Sequence, residues 1–316
     1  MSSQLSVLGT GVTGLCVATA LVEAGADVEI VVPEPRPQPA SQLAGGMLAP
    51  YCETEQAPPL VRERGLAAAA WWQAHGANVT RLGTLVVAAA RDLVELDRFA
   101  ARCEGHQRVD PAQLEPALQQ RFHQGLWFAN EAHLDPRQAL ATLEAQLRQR
   151  GVRFHSGKPQ GQVIDCRGSA ARAELPSLRC VRGEMLYLQA PQVQLQRPIR
   201  LLHPRFPCYL VPRGQGRYML GATMLESDDP GPITAAAVME LLSAAWTIHP
   251  GLAQARLLET GAGLRPAFAD NLPALQLGDG RLHVNGMYRH GFLLAPALAA
   301  DVVAWWQRGM HSCVSF

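Results

Sequence analysis

A glycine-rich turn near the start of the chain restricts the possible folds more than any other feature. The stretch GTGVTG at 9–14 fits the pattern GxGxxG and follows the short apolar run LSVL. Apolar residues then recur at helical spacing as far as Gly25, and a second apolar run occupies 27–32. This order predicts a strand, a tight turn, a helix and a second strand.

The positions of the glycines indicate that the turn binds a dinucleotide. Gly9 permits the tight turn, Gly11 lets the backbone approach a pyrophosphate, and Gly14 lets the helix pack closely on the strand. Val12 and Thr13 open the helix, whose N-terminus attracts phosphate. We therefore predict a Rossmann-like nucleotide-binding domain.

No acidic residue occupies the end of the second strand. An acidic residue is expected there, because it would accept a hydrogen bond from the ribose. Without gaps, Val32 occupies that position, and Glu34 follows two residues later. Either Glu34 serves after a bulge or the ribose lacks this anchor. We assign Arg36 to a solvated proline-rich link at 33–39 rather than to phosphate recognition.

Length and charge exclude several other classes of protein. A chain of 316 residues is long enough to form two domains. A formal net charge of +1 argues against a nucleic-acid-binding protein. The apolar start of the chain is interrupted by charges and too short to span a bilayer, so no membrane partner is expected. Seven cysteines without CxxC or Cys/His metal spacing indicate reduced thiols and no metal site. We predict a cytoplasmic protein, since the first strand leaves no room for a signal peptide.

Periodicity and capping signals predict α/β segments at both ends of the chain and a mixed middle. Asp110 and Asp135 are each followed by proline, which pairs an N-cap residue with proline at the first helical position. A strand is predicted in GQVIDCRG at 161–168, and alternating apolar residues favour strands from 181 to 223. Helices are predicted over 61–75, 92–103, 136–150, from after Pro230 to about Trp246, and over 291–308, with a last strand in HVNGMY.

Arg289 and His290 lie directly before the last apolar helix. A helix N-terminus already carries partial positive charge, so basic residues are unusual there. Two positive elements together indicate that a negative or electron-accepting group belongs at this point. The alternative is a solvated loop with an unrelated arginine.

Four further stretches, in this order behind GxGxxG, resemble the D-amino-acid-oxidase family of FAD-dependent oxidoreductases. They are ASQLAGGMLAP at 40–50, CYLVPRGQGRYMLGATM at 208–224, GLRPAFADNLPAL at 263–275 and NGMYRHGFLLAP at 285–296. VIDCRG and VRGEM fit as well, and within the family the sequence is most similar to the glycine oxidases of thiamine biosynthesis. The resemblance spans nearly the whole chain.

The resemblance implies roles for five residues at the substrate site. Arg265 of GLRP pairs with the substrate carboxylate, and Arg289 faces both substrate and flavin. Tyr209 of CYLVPR lies over the substrate, while Met224 and Met47 line the pocket. Tyr209, Arg265 and Arg289 are the implied catalytic residues.

The resemblance also implies FAD as the cofactor. Gly45, Gly46 and Met47 are expected beside the flavin ring, and the backbone from Tyr288 to Leu293 at its pyrimidine end. The predicted cofactor-binding residues are Gly9, Gly11, Val12, Thr13, Gly14, Val32, Glu34, Ser41, Gly45, Gly46, Met47, Gly168, Tyr288, Arg289, His290, Gly291, Phe292 and Leu293.

The sequence departs from the family pattern in three respects. Pro207 stands where His is frequent, two residues before Tyr209. The chain is short between Phe154 and Gln162, where a strand usually helps to hold the adenine, and the acid missing at Val32 belongs to the same half of the cofactor. How tightly the adenine half is held therefore stays open.

The implied fold class is α/β with an α+β substrate part. A Rossmann-like FAD-binding domain at 1–75, 135–182 and 260–316 is interleaved with an antiparallel-sheet substrate domain at 76–134 and 183–259. The implied reaction oxidises a small amino acid or amine, glycine favoured, to an imine by hydride transfer to flavin. Molecular oxygen is reduced to hydrogen peroxide, and the imine feeds thiamine thiazole synthesis. The alternatives are an amine dehydrogenase with a different electron acceptor, a catalytically silent flavin-binding maturation protein and an NAD-binding regulator, and a homo-oligomer is left open.

Overall fold

Six strands form a first sheet in which the spatial order differs from the chain order. A computed structural model describes residues 4–32, 34 and 39–310, so most of the proline-rich link, including Arg36, lies outside the described residues. From edge to edge the strands are β16 (Ala274–Gly278), β17 (Arg281–Asn285), β9 (Gln162–Asp165), β1 (Leu5–Leu8), β2 (Val28–Val31) and β8 (Arg153–His155). All neighbours pair in parallel except the hairpin of β16 and β17. LSVL is a continuous buried run because the central strand of a covered parallel sheet has no solvent-facing side.

Three long helices share one apolar core with this sheet. The helices α1 (Val12–Glu23) and α9 (Gly291–Gln307) pack against each other, and α7 (Pro136–Gln149) packs against α1. The predicted N-cap of α7 is confirmed, since the Asp135 carboxylate accepts hydrogen bonds from the backbone N–H groups of Arg137 and Gln138. The strand-turn-helix-strand order predicted for the first residues is therefore present.

The single helix predicted over 61–75 is wrong. Two short helices stand there, α3 (Pro59–Gly65) and α4 (Ala68–Ala74), preceded by a short α2 (Pro50–Glu53). Gly65 ends α3 where the chain lies directly on α9, because a Cβ at this position would come within 2.7 Å of the Leu293 side chain. A close approach to α9 and the poor helix propensity of glycine together outweigh the alanine-rich pattern.

In the part of the chain that the structure describes, nine strands form the second sheet. In spatial order eight of them are β14 (Leu225–Glu226), β10 (Arg179–Gln189), β13 (Arg217–Gly221), β12 (Cys208–Pro212), β11 (Ile199–Leu202), β4 (Thr84–Ala88), β6 (Gly125–Phe128) and β5 (Gln107–Val109). The ninth, β15 (Arg256–Ala267), pairs along β10. The pairing is antiparallel except between β11 and β4, and a small separate ladder joins β3 (Met47–Leu48) to β7 (Ala132–His133).

Helices also pack on the second sheet and its surroundings. These are α5 (Leu93–Arg102), α6 (Pro111–Leu114) and α8 (Ala235–Ile248). The helix expected after Pro230 starts at Ala235, because the Thr234 hydroxyl caps it by accepting from the Ala237 N–H at 3.2 Å. The predicted domain boundaries near 182 and 260 fall inside β10 and β15, and the division into two domains stays a prediction. Within the described ranges, no helix combines the length and the apolar character needed to cross a membrane.

Residues 156–161 connect β8 directly to β9. No strand lies within this described connection, which is the stretch where the family resemblance places an additional one. Val32 continues the pairing of β2 with β8, since its N–H donates to the His155 carbonyl oxygen at 2.8 Å. The end of β2 is thereby tied to β8.

A buried histidine is expected to make the fold sensitive to acid. His133 in β7 is 5 % exposed, and burial lowers its pKa from 6.5 to about 4. The unfolded chain takes up the proton near the ordinary value, so this part of the stability is present above pH 6.5 and is lost as the pH falls toward 4.

His133→Gln should therefore weaken the dependence of stability on pH. Between about pH 7.5 and about pH 5, the variant is expected to lose about 2 kcal/mol less free energy of unfolding than the wild type. Urea denaturation at both pH values measures this difference. The exposed His123 provides the matched control, because His123→Gln leaves His133 in place and should keep the wild-type dependence. An unchanged dependence in His133→Gln would contradict the prediction.

Candidate active site

A cleft of about 310 Å³ opens at the carboxyl ends of the central parallel strands. It is lined by the segments that follow β1, β9 and β17 and by residues of the second sheet. The strand order changes direction here, because β2 lies on one side of β1 and β9 on the other. Ligands of open α/β sheets bind at such a switch point.

Two helix N-termini point their first turns at this cleft. Gly11 is the N-cap of α1 and His290 that of α9, and neither supplies a side-chain cap. The Ser41 hydroxyl accepts a hydrogen bond from the Val12 N–H at 3.0 Å. Gly291 brings the two ends together, since a Cβ there would lie 3.1 Å from Val12. Both ends carry partial positive charge, which favours an anionic ligand.

The wall beneath these helix ends consists of bare backbone. Gly9 has φ +102°, and a Cβ on it would lie 2.9 Å from the Cys166 carbonyl oxygen. Gly168, with φ +60°, also lines the cleft, and its carbonyl oxygen accepts from the Asn285 amide at 2.9 Å. A backbone cradle between two positive helix ends fits the pyrophosphate of a dinucleotide, which residues 9–13 would hold.

A second wall is formed by the segment from Gly45 to Met47 together with Tyr209. The Tyr209 ring lies against Gly45, where a Cβ would come within 2.6 Å of the ring. Arg213 fixes the segment from behind by donating from Nη2 to the Gly45 carbonyl oxygen at 2.7 Å. Gly46 has φ +67°, a conformation that suits glycine. The Tyr209 ring and this glycine-containing backbone together form one wall of the cleft.

Among the described residues, four arginines line the cleft, and three of them pair with carboxylates. Arg167 donates to Asp165 at 2.9 Å and to Glu174 at 2.8 Å. Arg289 donates to Glu53 at 2.8 Å, and Arg200 has carboxylates at 3.8 and 3.9 Å.

Arg265 differs, since no carboxylate of the described residues lies within ion-pairing distance of it. Its Nη1 donates to the Thr223 carbonyl oxygen at 3.1 Å, and its guanidinium occupies the space left by the missing side chain of Gly183. This cation is therefore available to an anionic ligand.

Arg289 and Arg265 meet the same short segment. Arg265 contacts the Thr223 carbonyl, and Arg289 Nη1 lies 3.8 Å from the sulfur of Met224, the next residue along the chain. Burial raises the pKa of Tyr209, and the positive charges of both guanidinium groups offset only part of this rise. Four of the five predicted substrate residues, Tyr209, Met224, Arg265 and Arg289, thus lie around one part of the cleft.

Glu53 is a carboxylate in the cleft that the sequence did not predict. Its side chain is 18 % exposed and also approaches His290 Nδ1 at 3.3 Å. Burial by itself would raise the pKa of Glu53, but the charges of Arg289 and Arg200 outweigh it and hold the pKa below the usual value. Glu53 is thus a negative group next to the two basic residues before α9.

His290 stays neutral in this environment. It is 3 % exposed, and burial lowers its pKa to about 4 despite the neighbouring carboxylate of Glu53. The positive charge before α9 therefore resides on Arg289 and on the helix end.

Most of the predicted site residues line the cleft, and three of them do not. Gly14 lies behind the turn and packs α1 on β1, because a Cβ there would overlap the Gly9 carbonyl oxygen. Val32 is engaged with β8, and Glu34 is exposed. The residues that line it are Gly9, Gly11, Val12, Thr13, Ser41, Gly45, Gly46, Met47, Gly168, Tyr209, Met224, Arg265, Tyr288, Arg289, His290, Gly291, Phe292 and Leu293.

Sequence reasoning missed several polar residues of the cleft. Arg200 had one usable signal, a charged residue inside the apolar strand PIRLL. Glu53 and Gln56 follow the GGMLAP segment closely, but only the fold brings them to Arg289. Asn285 ends β17, where its side chain bridges to Gly168.

Fold and cleft together define a dinucleotide-binding oxidoreductase whose cofactor site is built by both ends of the chain. The chain belongs to the DAO family of FAD-dependent oxidoreductases, whose family model matches residues 4–305. FAD is therefore the cofactor, and the family resemblance, the fold class and the enzyme class predicted from the sequence are confirmed.

Individual relatives agree with this assignment. A Rhizobium etli protein that bears the name thiamine biosynthesis oxidoreductase ThiO is 51 % identical over 310 residues, covering 95 % of both chains. The D-amino-acid oxidase of Streptomyces coelicolor is 29 % identical, covering 96 % of this chain and 93 % of its own. The crystal structure of glycine oxidase from Bacillus cereus superposes with a TM-score of 0.81 at 20 % identity, covering 98 % of each chain.

Proposed function

We propose that the protein oxidises a small amino acid, with glycine favoured, to the corresponding imine. The observation that carries this proposal is Arg265, whose guanidinium lines the cleft without a carboxylate among the described residues. Such a group can grip a substrate carboxylate through two parallel hydrogen bonds, which fixes orientation as well as position. Tyr209 closes one side of the bound amino acid, and Met47 and Met224 bound the remaining space.

Arg289 and the N-terminus of α9 have a different role in the proposal. They would stabilise negative charge that develops at the cofactor, because both are positive and both lie at the cleft. Glu53 and Gln56 hold the Arg289 side chain in place through hydrogen bonds of 2.8 and 2.9 Å. Glu53 is poorly suited to act as a base, because its pKa is held low by the neighbouring cations. The amine is therefore proposed to react in its neutral form.

The FAD held at this cleft would supply the acceptor for the hydride equivalent from the α-carbon and the route of the electrons to molecular oxygen, which would yield hydrogen peroxide. The residues of the chain contribute alignment and electrostatics, and small misalignments would slow the reaction greatly. The name of the Rhizobium etli relative supports a place in thiamine biosynthesis. We propose that the imine is the product supplied to that pathway.

Purified protein tests the proposal directly. We expect a yellow protein with flavin absorbance bands that releases hydrogen peroxide with at least one of glycine, sarcosine and D-alanine. Turnover with a dye but not with oxygen would identify a dehydrogenase that uses another acceptor. A colourless protein that cannot be reconstituted with FAD would favour a silent maturation protein, and absence of turnover with any small amine would refute the proposed reaction.

A further inference from the structure

Glu131 is a buried carboxylate that lies outside the cleft but contacts a segment of its wall. It occupies the turn between β6 and β7 and is 1 % exposed. Its Oε1 accepts a hydrogen bond from the backbone N–H of Cys52, which is fully buried, at 2.7 Å. An ionisable group in such a place costs stability, and groups of this kind are concentrated at functional sites.

The hydrogen bond from Cys52 to Glu131 holds the first turn of α2. The N–H groups at the start of a helix have no partner within the helix, and the N-cap residue Ala49 supplies no side-chain acceptor. The helix consists of a single turn, in which the Glu53 N–H reaches the Ala49 carbonyl oxygen only at 3.2 Å. The shorter bond to Glu131 therefore attaches α2 to a distant part of the chain.

We propose that Glu131 is a positioning residue for Arg289. The proposal rests on the proposed function, in which Arg289 stabilises negative charge at the cofactor. Glu53 directly follows Cys52 and accepts from Arg289 Nε at 2.8 Å, and Gln56 accepts from Nη1 at 2.9 Å. Holding Cys52 in place thus holds the start of the segment that orients the guanidinium.

Removal of the carboxylate should release α2. In Glu131→Ala the N–H of Cys52 would stay buried without an acceptor, which is costly. The single turn has weak hydrogen bonds of its own, so it would shift until this N–H met water or another acceptor. Glu53 is the next residue along the chain and would move with it, and the Arg289 side chain would lose its fixed place.

Glutamine at this position keeps the acceptor. Burial raises the pKa of Glu131 to about 7, so both forms of the carboxyl group are populated near neutral pH. A neutral amide oxygen can accept from Cys52 as the protonated acid does. The amide NH₂ can donate to the neighbouring Thr84 hydroxyl, whose buried oxygen has no partner at hydrogen-bonding geometry among the described residues. Glu131→Gln is therefore the conservative variant.

Sulfite binding to the holoenzyme tests the proposal without turnover. Sulfite adds to oxidised flavin and bleaches its absorbance, and positive charge beside the ring stabilises the negative product. Arg289→Ala should weaken sulfite affinity about tenfold and Glu131→Ala about fivefold, since a displaced guanidinium keeps part of its effect. Glu131→Gln should stay within about twofold of the wild type.

Glu115→Ala is the matched control. Glu115 is also 1 % exposed and accepts from the backbone N–H groups of Gln196 and Arg197, each at 3.1 Å, but it does not line the cleft. Its loss should lower the melting temperature, as the loss of Glu131 does, and leave sulfite affinity unchanged. An equal loss of sulfite affinity in Glu115→Ala would reduce Glu131 to general structural support and overturn the proposal.

Amide hydrogen exchange of the apoprotein follows α2 itself and needs no cofactor. Amides in residues 49–56 should exchange about tenfold faster in Glu131→Ala than in the wild type or in Glu131→Gln. Exchange at the wild-type rate in Glu131→Ala would show that this residue does not hold α2, which would also overturn the proposal.

The sulfite results separate this proposal from the proposed function. Weaker binding in Arg289→Ala with wild-type affinity in Glu131→Ala would refute the positioning role and leave the role of Arg289 intact. Wild-type affinity in both variants would refute charge stabilisation by Arg289, and the positioning role with it. Absence of turnover with small amines would refute the proposed reaction alone, because sulfite binding requires no amine substrate.

Discussion

Arg265→Ala is expected to lower kcat/KM for glycine on the order of 10³-fold, which corresponds to about 4 kcal/mol of lost transition-state stabilisation. The wild-type guanidinium has no carboxylate partner among the described residues and lies between Thr223 and Gly183. Alanine would leave the substrate carboxylate without its two charge-assisted hydrogen bonds and without a fixed orientation. Steady-state peroxide assays at several glycine concentrations measure the effect.

Arg256→Ala is the matched control for this substitution. Arg256 lies on the same strand, β15, but its side chain is exposed and outside the cleft. We expect its kcat/KM to stay close to that of the wild type. Flavin absorbance should be retained in both variants, which separates substrate binding from cofactor loss. An Arg265→Ala enzyme with unchanged kcat/KM would remove this residue from the substrate site.

Gly14→Ala is expected to weaken FAD binding about 10²-fold and to lower the thermal stability of the apoprotein. A methyl group at this position would overlap the carbonyl oxygen of Gly9, and this obstacle is backbone rather than the end of a flexible side chain that could move aside. Relieving the overlap would shift α1 away from β1 and displace the turn that faces the cofactor, at a cost of about 3 kcal/mol. Fluorescence titration of the apoprotein with FAD and a thermal unfolding scan measure the two effects.

Gly278→Ala provides a control for this prediction. Gly278 ends β16, where the nearest atom to a Cβ would lie 3.8 Å away, at ordinary contact distance. Its FAD affinity and melting temperature should match those of the wild type. A Gly14→Ala protein that binds FAD normally would show that the close contact of α1 with β1 does not shape the cofactor site.

The sequence correctly predicted the elements that depend on interactions between residues close together in the chain. The turn at 9–14 and the N-cap at Asp135 depend on backbone conformation and on hydrogen bonds within a few residues. The helix predicted over 61–75 failed because its continuity depends on α9, more than two hundred positions away. No periodicity within the segment reveals that Gly65 lies against Leu293.

The same distinction applies to the site. Arg265 and Tyr209 stand in short motifs for which the family resemblance implies roles, and both line the cleft. Glu53 has no such motif, and its pairing with Arg289 joins residues from opposite ends of the chain. This ion pair forms because α2 lies near the start of α9 in the folded protein. The sequence pattern of either segment alone does not reveal that the two segments meet.

The meeting of α1 and α9 at one cleft sets the order of events during biosynthesis. A ribosome-bound polypeptide that has emerged only as far as β16 already has the GxGxxG turn, but it lacks α9 and Arg289. Such a nascent chain lacks the part of the cleft that residues 285–293 contribute. Arg289 and the positive end of α9 therefore reach the cleft only after the other segments that line it have been synthesised.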